Sequence, residues 1–268
     1  MIKKLSFLAS LLLIIGVIGS IATYSSVNNE LITSNETQHI SNDKITSIQI
    51  DVESTDVEFI PIQSKDEARI ELVSENGETL KDHFAVEDQG ETLLISQQSK
   101  NEKWVNFNPF MQSRTLKIYA PEKVYNTLNI NGVSTDIFLQ NVEAKSMNIS
   151  TVSGDIEGEN ITSEGSVIET VSGDIQLEHI QGETKTVTAS GDVSMYMTEI
   201  SESINVKTTS GDIDITSIKE PSDVTFDVST SAGDINLFDK YNSDAKIGKG
   251  TIIMQLETSS GDITATNE

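Results

Sequence analysis

A column of repeated aspartates is the feature of this chain that could do chemistry. The repeated pattern reads apolar, x, apolar, x, Thr, x, Ser, Gly, Asp, Ile, x, apolar. Its aspartates are Asp136, Asp155, Asp174, Asp192, Asp212, Asp234 and Asp262. If the copies stack directly, neighbouring carboxylates lie about 5 Å apart and repel one another unless they are screened or hydrogen-bonded. Three arrangements relieve the repulsion: each Asp caps its own turn, all of them point into water, or bound Ca²⁺ bridges neighbours.

Calcium-binding β-rolls also repeat Gly and Asp, but they do so with a nine-residue Gly-Gly-x-Gly-x-Asp unit. This chain lacks both that spacing and the paired glycines. We therefore expect turn capping, and no cofactor or metal. The lesser alternative, a calcium ladder, would use Asp155, Asp174, Asp192, Asp212, Asp234 and Asp262.

The elements that position these side chains are short strands. A period near 20 residues indicates stacked coils, so the sequence predicts an all-β chain with a β-solenoid of about seven regular coils over residues 126–268. The residue after each Asp forms one apolar column, which reads Ile137, Ile156, Ile175, Val193, Ile213, Ile235 and Ile263. A single coil cannot bury such a face alone, whereas stacking covers each member from above and below. The fourth coil is the weakest copy, because Thr184 and Thr186 occupy apolar positions.

Ser-Gly-Asp is predicted to form a corner between two strands. Glycine supplies a backbone conformation that other residues avoid, and Asp bonds to nearby backbone N–H groups. The structural glycines are Gly154, Gly173, Gly191, Gly211, Gly233 and Gly261. The Thr and Ser columns beside them could hydrogen-bond from coil to coil.

The N-terminus predicts a membrane segment. Residues 1–4 contain Lys3 and Lys4, and the sequence from Leu5 to Ala22 has no charge. That run can cross a bilayer, and the flanking charge places the N-terminus inside and the body outside. We expect a single-pass plasma-membrane anchor over residues 5–23, with a cleaved signal peptide and secretion as the alternative. A polar linker is predicted over residues 24–43.

Residues 44–125 look like irregular β structure that begins or caps the solenoid. Expected strands are Ile45–Val52, Val57–Ile62, Ala68–Val73, Thr92–Ser96 and Thr115–Tyr119. Residues 52–57 look like a degenerate repeat corner. Trp104, Phe107 and Phe110 cluster in a loop that either caps the core or contacts a partner.

Charge and composition exclude several functions. The net charge is −24, which argues against nucleic acid and anionic lipid as partners. The absence of cysteine excludes disulfides and thiolate chemistry. His39, His83 and His179 are far apart in sequence, and no hydrolase or phosphate-binding motif is present. We therefore expect no enzyme activity and no catalytic residue, with a glycan-cleaving solenoid as the remote alternative.

The Thr-x-Ser-Gly-Asp-Ile copies at Thr151, Thr170 and Thr208, together with the N-terminal segment, resemble the bacterial LiaG-like family. That family is known as putative adhesins or as a β-strand-repeat domain of unknown function. The resemblance implies a right-handed parallel β-solenoid on the outer side of the plasma membrane, linked to cell-envelope stress. It supplies no substrate, cofactor or catalytic residue. We expect a scaffold that docks an envelope protein or wall polymer, with a surface adhesin as the alternative. The oligomeric state, and whether the last coil pairs with another molecule, stay open.

Overall fold

The computed structural model describes residues 34–64, 67–74, 80–98 and 114–268. Nearly all regular structure in these residues is β, which confirms the expected class; the exception is a single helical turn, α1 (Leu80–His83). The strands are β1 (Ser34–Ser41), β2 (Ser47–Asp51), β3 (Asp56–Ile62), β4 (Glu67–Ser74), β5 (Phe84–Asp88), β6 (Thr92–Gln97), β7 (Arg114–Pro121), β8 (Val124–Asn131), β9 (Ile137–Ser150), β10 (Ile156–Glu169), β11 (Ile175–Glu178), β12 (Gln181–Val187), β13 (Val193–Met197), β14 (Ile204–Lys207), β15 (Ile213–Ser217), β16 (Val224–Thr230), β17 (Ile235–Leu237), β18 (Ile252–Thr258) and β19 (Ile263–Asn267).

The repeats stack in parallel and in register, as a solenoid requires. Each coil contributes one strand before its Ser-Gly-Asp corner and one strand after it. The strands before the corners form the first face, in the order β6-β2-β8-β9-β10-β12-β14-β18-β16. The strands after the corners form the second face, in the order β7-β3-β9-β10-β11-β13-β15-β19-β17. The long strands β9 and β10 run from the second face of one coil into the first face of the next.

The apolar columns between the two faces form the core. Six members of the column after Asp are at most 1 % exposed: Ile137, Ile156, Ile175, Val193, Ile213 and Ile263. The seventh, Ile235, is 36 % exposed because it lies in the last coil of the stack. Burial of the column is confirmed for every coil that has a neighbour on both sides.

The last two coils do not stack in chain order. Strands β18 and β19 lie between β14/β15 on one side and β16/β17 on the other. The C-terminal coil is therefore an interior coil, and the coil before it in sequence ends the stack. The intervening chain covers that end: Phe238 and Tyr241 pack on Phe226, with ring centroids 6.2 and 5.6 Å away. Backbone bonds also tie Ala245 and Ile247 to the outer edge of β16.

The N-terminal region continues the same stack. Strands β2 and β3 pair in parallel with β8 and β9, and β6 and β7 lie outside them. The degenerate corner at residues 52–57 is confirmed: the Val52 amide donates to the Asn131 carbonyl, and the Asp136 amide donates to Oδ1 of Asp56. The five expected strands are present, and β5, which the sequence pattern did not predict, pairs antiparallel with β6.

One boundary needs correction. The predicted linker was residues 24–43, but residues 34–41 form β1, antiparallel to β4 on the edge of the sheet. An edge strand can expose most of its side chains, so a polar sequence without apolar alternation is compatible with it. The proposed anchor over residues 5–23 lies outside the described residues. Among the residues that are described, no helix is long and apolar enough to cross a membrane.

The fourth coil keeps its polar residues inside. Thr184 and Thr186 are 2 % and 0 % exposed, and Ser166 of the preceding coil is 3 % exposed. The Thr184 hydroxyl donates to the Gly182 carbonyl, whereas the hydroxyls of Ser166 and Thr186 have no hydrogen-bond partner among the described residues. The core tolerates these groups at the cost of two unsatisfied donors.

Candidate functional site: the acidic corner

The repeated corner aligns on one edge of the stack, where the first face turns into the second. Parallel backbone bridges join the corner serines of successive coils, from Ser134 through Ser153, Ser172, Ser190 and Ser210 to Ser260. The strand before each corner ends near the repeat Thr, and the next strand begins at the Ile after Asp. We call the exposed surface formed by residues 133–136 and their repeat equivalents the acidic corner.

Each repeat aspartate holds the neighbouring coil. The backbone N–H of Asp155 donates to Oδ1 of Asp136 at 2.9 Å, and the N–H of Asp174 donates to Oδ1 of Asp155 at 2.8 Å. The same bond, also 2.8 Å long, recurs at Asp192, Asp212, Asp262 and Asp234. The ladder follows spatial order, so Asp262 comes before Asp234. The capping therefore acts between coils, whereas the sequence argument placed it within each turn.

The repeat threonine provides a second set of bonds between coils. The hydroxyl of Thr170 donates to the Gly154 carbonyl at 3.2 Å, and the hydroxyl of Thr188 donates to the Gly173 carbonyl at 3.2 Å. Equivalent bonds join Thr208, Thr258 and Thr230 to the Gly of the adjacent coil. This confirms bonding from coil to coil for the Thr column. The corner Ser hydroxyls form no such bonds in the described part of the chain.

The corner glycines are required by close approach. A Cβ on Gly173 would lie 2.0 Å from the Gly154 carbonyl oxygen, and one on Gly211 would lie 2.0 Å from the Gly191 oxygen. Gly211 also has a φ of 156°, a value that side chains disfavour. The same crowding recurs at the other corner glycines, Gly154, Gly191, Gly233 and Gly261.

The hydrogen bonds between coils determine which side-chain atoms of the acidic corner remain exposed to solvent. The Thr side chains turn inward, and every repeat Asp except the terminal Asp234 accepts a bond at Oδ1. The second carboxylate oxygens and the Ser hydroxyls are left on the exposed side. Beside them runs a stripe of Val133, Val152 and Val171, which are 48, 47 and 50 % exposed. The sequence analysis did not single out this stripe, although an apolar residue at one outward position in three consecutive copies would have indicated it.

Burial and neighbouring negative charges raise the pKa values of two carboxyl groups near the aspartate ladder. Partial burial, and then the charges of Asp212, Asp192 and Asp262, raise the pKa of Asp214 on the second face. Burial is also the main cause of the raised pKa of Asp56 at the N-terminal end of the ladder. There the hydrogen bond from Asp136 lowers the pKa, while the charges of Asp136 and Glu58 raise it further.

An acidic recess of about 410 Å³ lies at that end of the ladder. Its lining includes Asp56, Asp136, Asp155 and Glu157 together with the ring of Phe138. The adjacent Glu58 pairs with Lys117 at 2.8 Å. Among the described residues, no three His, Asp or Glu side chains converge as a metal site would require.

Other candidate groups lie apart from the corner. His39 contacts Glu67 on the N-terminal edge, and His179 is an exposed turn residue whose ring lies 5.3 Å from that of Tyr196. Arg69 lies 3.8 Å from the centre of the Tyr119 ring in the N-terminal region. Within the described residues, no histidine or arginine joins the repeat carboxylates. Trp104, Phe107 and Phe110 lie outside the described residues.

Several solved structures are similar to this chain. A putative cell adhesion protein from Clostridium sporogenes is 11 % identical, with 88 % of this chain and 100 % of that chain covered at a TM-score of 0.40. A putative adhesin from Bacteroides fragilis is 15 % identical, with 87 % and 97 % covered at 0.44. A putative lipid binding protein from Parabacteroides distasonis is 16 % identical, with 86 % and 97 % covered at 0.40.

A search of curated protein sequences finds no match to the chain. The family model described as Toastrack DUF4097 matches twice, over residues 45–163 and 124–266. Together the two matches span the stacked coils and the N-terminal strands that continue them, so the chain belongs to the Toastrack DUF4097 family.

Proposed function

We propose that this chain is a non-enzymatic binding and scaffold protein, held outside the bacterial plasma membrane by its N-terminal segment. The observation that supports the proposal is that different atoms of the acidic corner hold the coils together and face the solvent. Its Thr hydroxyls, Asp amides and Oδ1 atoms bind neighbouring coils, while Val, Ser and the remaining carboxylate oxygens form a flat, repetitive outer surface.

The partner that fits this surface is a basic segment of an envelope protein, or a cationic group on a wall polymer. Carboxylates repeat about every 4.8 Å along the corner, which is the spacing of adjacent strands. The apolar stripe lies beside them, so a partner with positive charges next to aliphatic groups satisfies both. Attraction of this kind weakens as salt rises, because exposed charges are screened.

The same arrangement argues against catalysis. The repeat carboxylates have similar surroundings, whereas acid–base chemistry needs groups with different environments and pKa values. Scaffolding needs a rigid and regular surface, and the ladders provide rigidity. The link to cell-envelope stress, and assignment to the LiaG-like group within the family, belong to this proposal; they are supported by the resemblance of the Thr-x-Ser-Gly-Asp-Ile copies.

The test is site-specific photo-crosslinking of the full-length protein in cells. A photoreactive residue replaces Val152, which is 47 % exposed on the acidic corner. The control position is Ile218, which is 43 % exposed and lies away from the corner. We expect one envelope protein or wall polymer to crosslink from Val152 and not from Ile218, and to be lost when the anchor is removed.

Equal crosslinking from both positions would contradict the proposal. Binding to host or matrix material by the exported body alone would instead indicate an adhesin. Hydrolysis of a glycan that disappears when one carboxylate is neutralised would indicate an enzyme.

A further inference from the structure

A second surface, away from the acidic corner, has the chemistry of a ligand site. A depression of about 540 Å³ lies on the outer side of the first face, across β9, β10, β12, β14 and β18. Its lining includes Asn148, Val167, Lys185, Asn205 and Ile253. This depression is larger than the acidic recess, and most of its lining residues belong to strands.

Part of the depression lies over small residues at one outward position, and Glu183 follows them at that position in the next coil. Ser146 and Gly165 are paired neighbours at that position in consecutive coils. The pairing of β10 with β12 shifts register between Thr162 and Gly165, and the Ser163 hydroxyl fixes the bulge by bonding to Gly165. A Cβ on Gly165 would meet nothing within 4 Å, so the floor of the depression is open there.

Two amide ladders end at this depression from opposite sides. On one side Nδ2 of Asn148 donates to Oδ1 of Asn129 at 3.0 Å. On the other side Nδ2 of Asn205 donates to Oε1 of Gln255 at 2.7 Å. The Oδ1 atoms of Asn148 and Asn205 accept no hydrogen bond from any residue that the structure describes. The first face thus presents two unused amide oxygens.

Val167 and Lys185 separate the two ladders, since the pairing order is Asn148, Val167, Lys185, Asn205. The two asparagines therefore stand three strand spacings apart, about 14 Å. The ammonium of Lys185 pairs with Glu169 at 3.0 Å, which offsets its charge. Ile253 is 51 % exposed at the margin and offers an aliphatic surface.

We propose that this depression binds a neutral oligosaccharide chain. Sugar hydroxyls donate to the free amide oxygens, and the C–H face of a sugar ring packs on Val167 and Ile253. The span between the asparagines accommodates several sugar units along the stack. An anionic polymer is disfavoured by the net charge of −24. The lining contains one carboxylate side chain, Glu183, which is too few for a cation site.

The site is distinct from the acidic corner, so its test is independent of the proposed scaffold function. The full-length purified chain is titrated with two neutral probes, a β-1,4-linked N-acetylglucosamine tetramer and an α-1,4-linked glucose tetramer, by calorimetry. We expect saturable binding of at least one probe with one site per chain. Substituting corner carboxylates should leave this binding unchanged, even if it abolishes the crosslink from Val152.

Two variants locate the site. Gly165→Phe fills the depression at a position where the backbone has room, so we expect at least a tenfold loss of affinity with an unchanged melting temperature. The double variant Asn148→Ala/Asn205→Ala removes both amide oxygens and should lose a similar amount. The matched control is Gln140→Ala, which removes an amide bonded to Glu159 on the second face and should bind as the unaltered protein does.

The proposal is overturned if neither probe binds saturably, or if Gly165→Phe binds as tightly as the unaltered chain. It is also overturned if the depression takes up an unrelated neutral peptide as tightly as either sugar, because the surface would then lack the specificity that the amide positions imply.

Discussion

The backbone N–H of Asp174 donates to Oδ1 of Asp155, 2.8 Å away in the adjacent coil. This bond shows that the aspartate column links neighbouring coils. Carboxylates stacked at the strand spacing repel, but all of these except the terminal Asp234 also accept a backbone donor. Hydrogen bonds to a charged acceptor are stronger than neutral ones. The repeat thus uses Asp as an acceptor that the geometry of the corner places beside the next coil.

The first prediction separates hydrogen bonding from charge in this column. Oδ1 of Asp174 accepts from the Asp192 amide. Asp174→Asn keeps an oxygen acceptor and reduces repulsion, so its free energy of unfolding should remain within about 0.5 kcal/mol of the original. Asp174→Ala removes the acceptor and should cost about 1 kcal/mol. Urea denaturation measures both; equal stability of the Asn and Ala variants would show that the bond contributes nothing.

The corner glycines give a stronger prediction. Gly173→Val places a Cβ only 2.0 Å from the Gly154 carbonyl oxygen. The two coils must move apart to relieve this clash. We expect a loss of several kcal/mol, in the range of the most damaging single substitutions. The measurement is the midpoint of urea denaturation.

Gly165→Val is the matched control, because a Cβ added at this position meets nothing within 4 Å. It should change the free energy of unfolding by less than about 1 kcal/mol. Similar losses for the two variants would refute the close-approach argument and indicate a general sensitivity to branched residues.

The apolar column gives a third prediction. Ile175 is 1 % exposed, so Ile175→Asp buries an unpaired charge and should prevent folding or lower the melting temperature steeply. Ile235→Asp makes the same change in the terminal coil, where the side chain is 36 % exposed, and should be much milder. Circular dichroism melting curves distinguish them. If Ile175→Asp melts within a few degrees of the original, the column does not carry the core.

Much of this fold could be predicted because the same sequence pattern recurs in every coil. The Ile column and the Thr column each appear in six or seven copies, so their burial and bonding follow from one argument repeated. The corner at residues 52–57 could be recognised despite its divergence. Its backbone bonds to the first regular coil confirm that prediction.

The parts that could not be predicted depend on pairing between distant segments. Nothing in the local pattern of β18 reveals that it lies between β14 and β16, because every copy offers the same edge to every other copy. The longer interval before the last copy was visible, but the aromatic packing of Phe238 and Tyr241 on Phe226 is a tertiary contact. Likewise β1 is held by β4, and its own polar sequence carries no strand signal.

The site was predicted in part for the same reason. The aspartate column was identified from sequence. Its hydrogen bonds, however, join neighbouring coils, and the spacing of residues along the chain does not reveal which atoms of two coils come into contact. The depression on the first face lies beside the register shift at Gly165, which a repeat alignment with small variations in length does not locate.

Acid titration gives a fourth prediction. Partial burial and the charges of Asp212, Asp192 and Asp262 raise the pKa of Asp214 in the folded protein. The folded state therefore binds this proton more tightly than the unfolded state, so the group lowers stability once it is ionised above its folded pKa. Asp214→Asn should be more stable than the original at neutral pH, and this advantage should shrink as pH falls through the raised pKa toward the ordinary value.

Added salt should reduce the advantage at neutral pH, since the charges are near the surface and are screened. Urea denaturation at several pH values and two salt concentrations provides the measurement. An advantage for Asp214→Asn that grows as pH falls would have the wrong sign and would contradict the assignment of repulsion at this position.

The last prediction concerns two threonines that lie two residues apart and differ in one bond. The Thr188 hydroxyl donates to the Gly173 carbonyl at 3.2 Å, whereas the Thr186 hydroxyl is buried without a hydrogen-bond partner among the described residues. Val has nearly the shape of Thr, so substitution changes mainly the polar group. Thr186→Val should stabilise the protein by about 1 kcal/mol or more, because it removes an unsatisfied buried donor. Thr188→Val should destabilise it by about 1 kcal/mol, because it deletes the bond and leaves the Gly173 oxygen with one partner fewer. Both values come from urea denaturation, and a stabilising effect at Thr188 would mean that the Thr ladder does not hold the coils together.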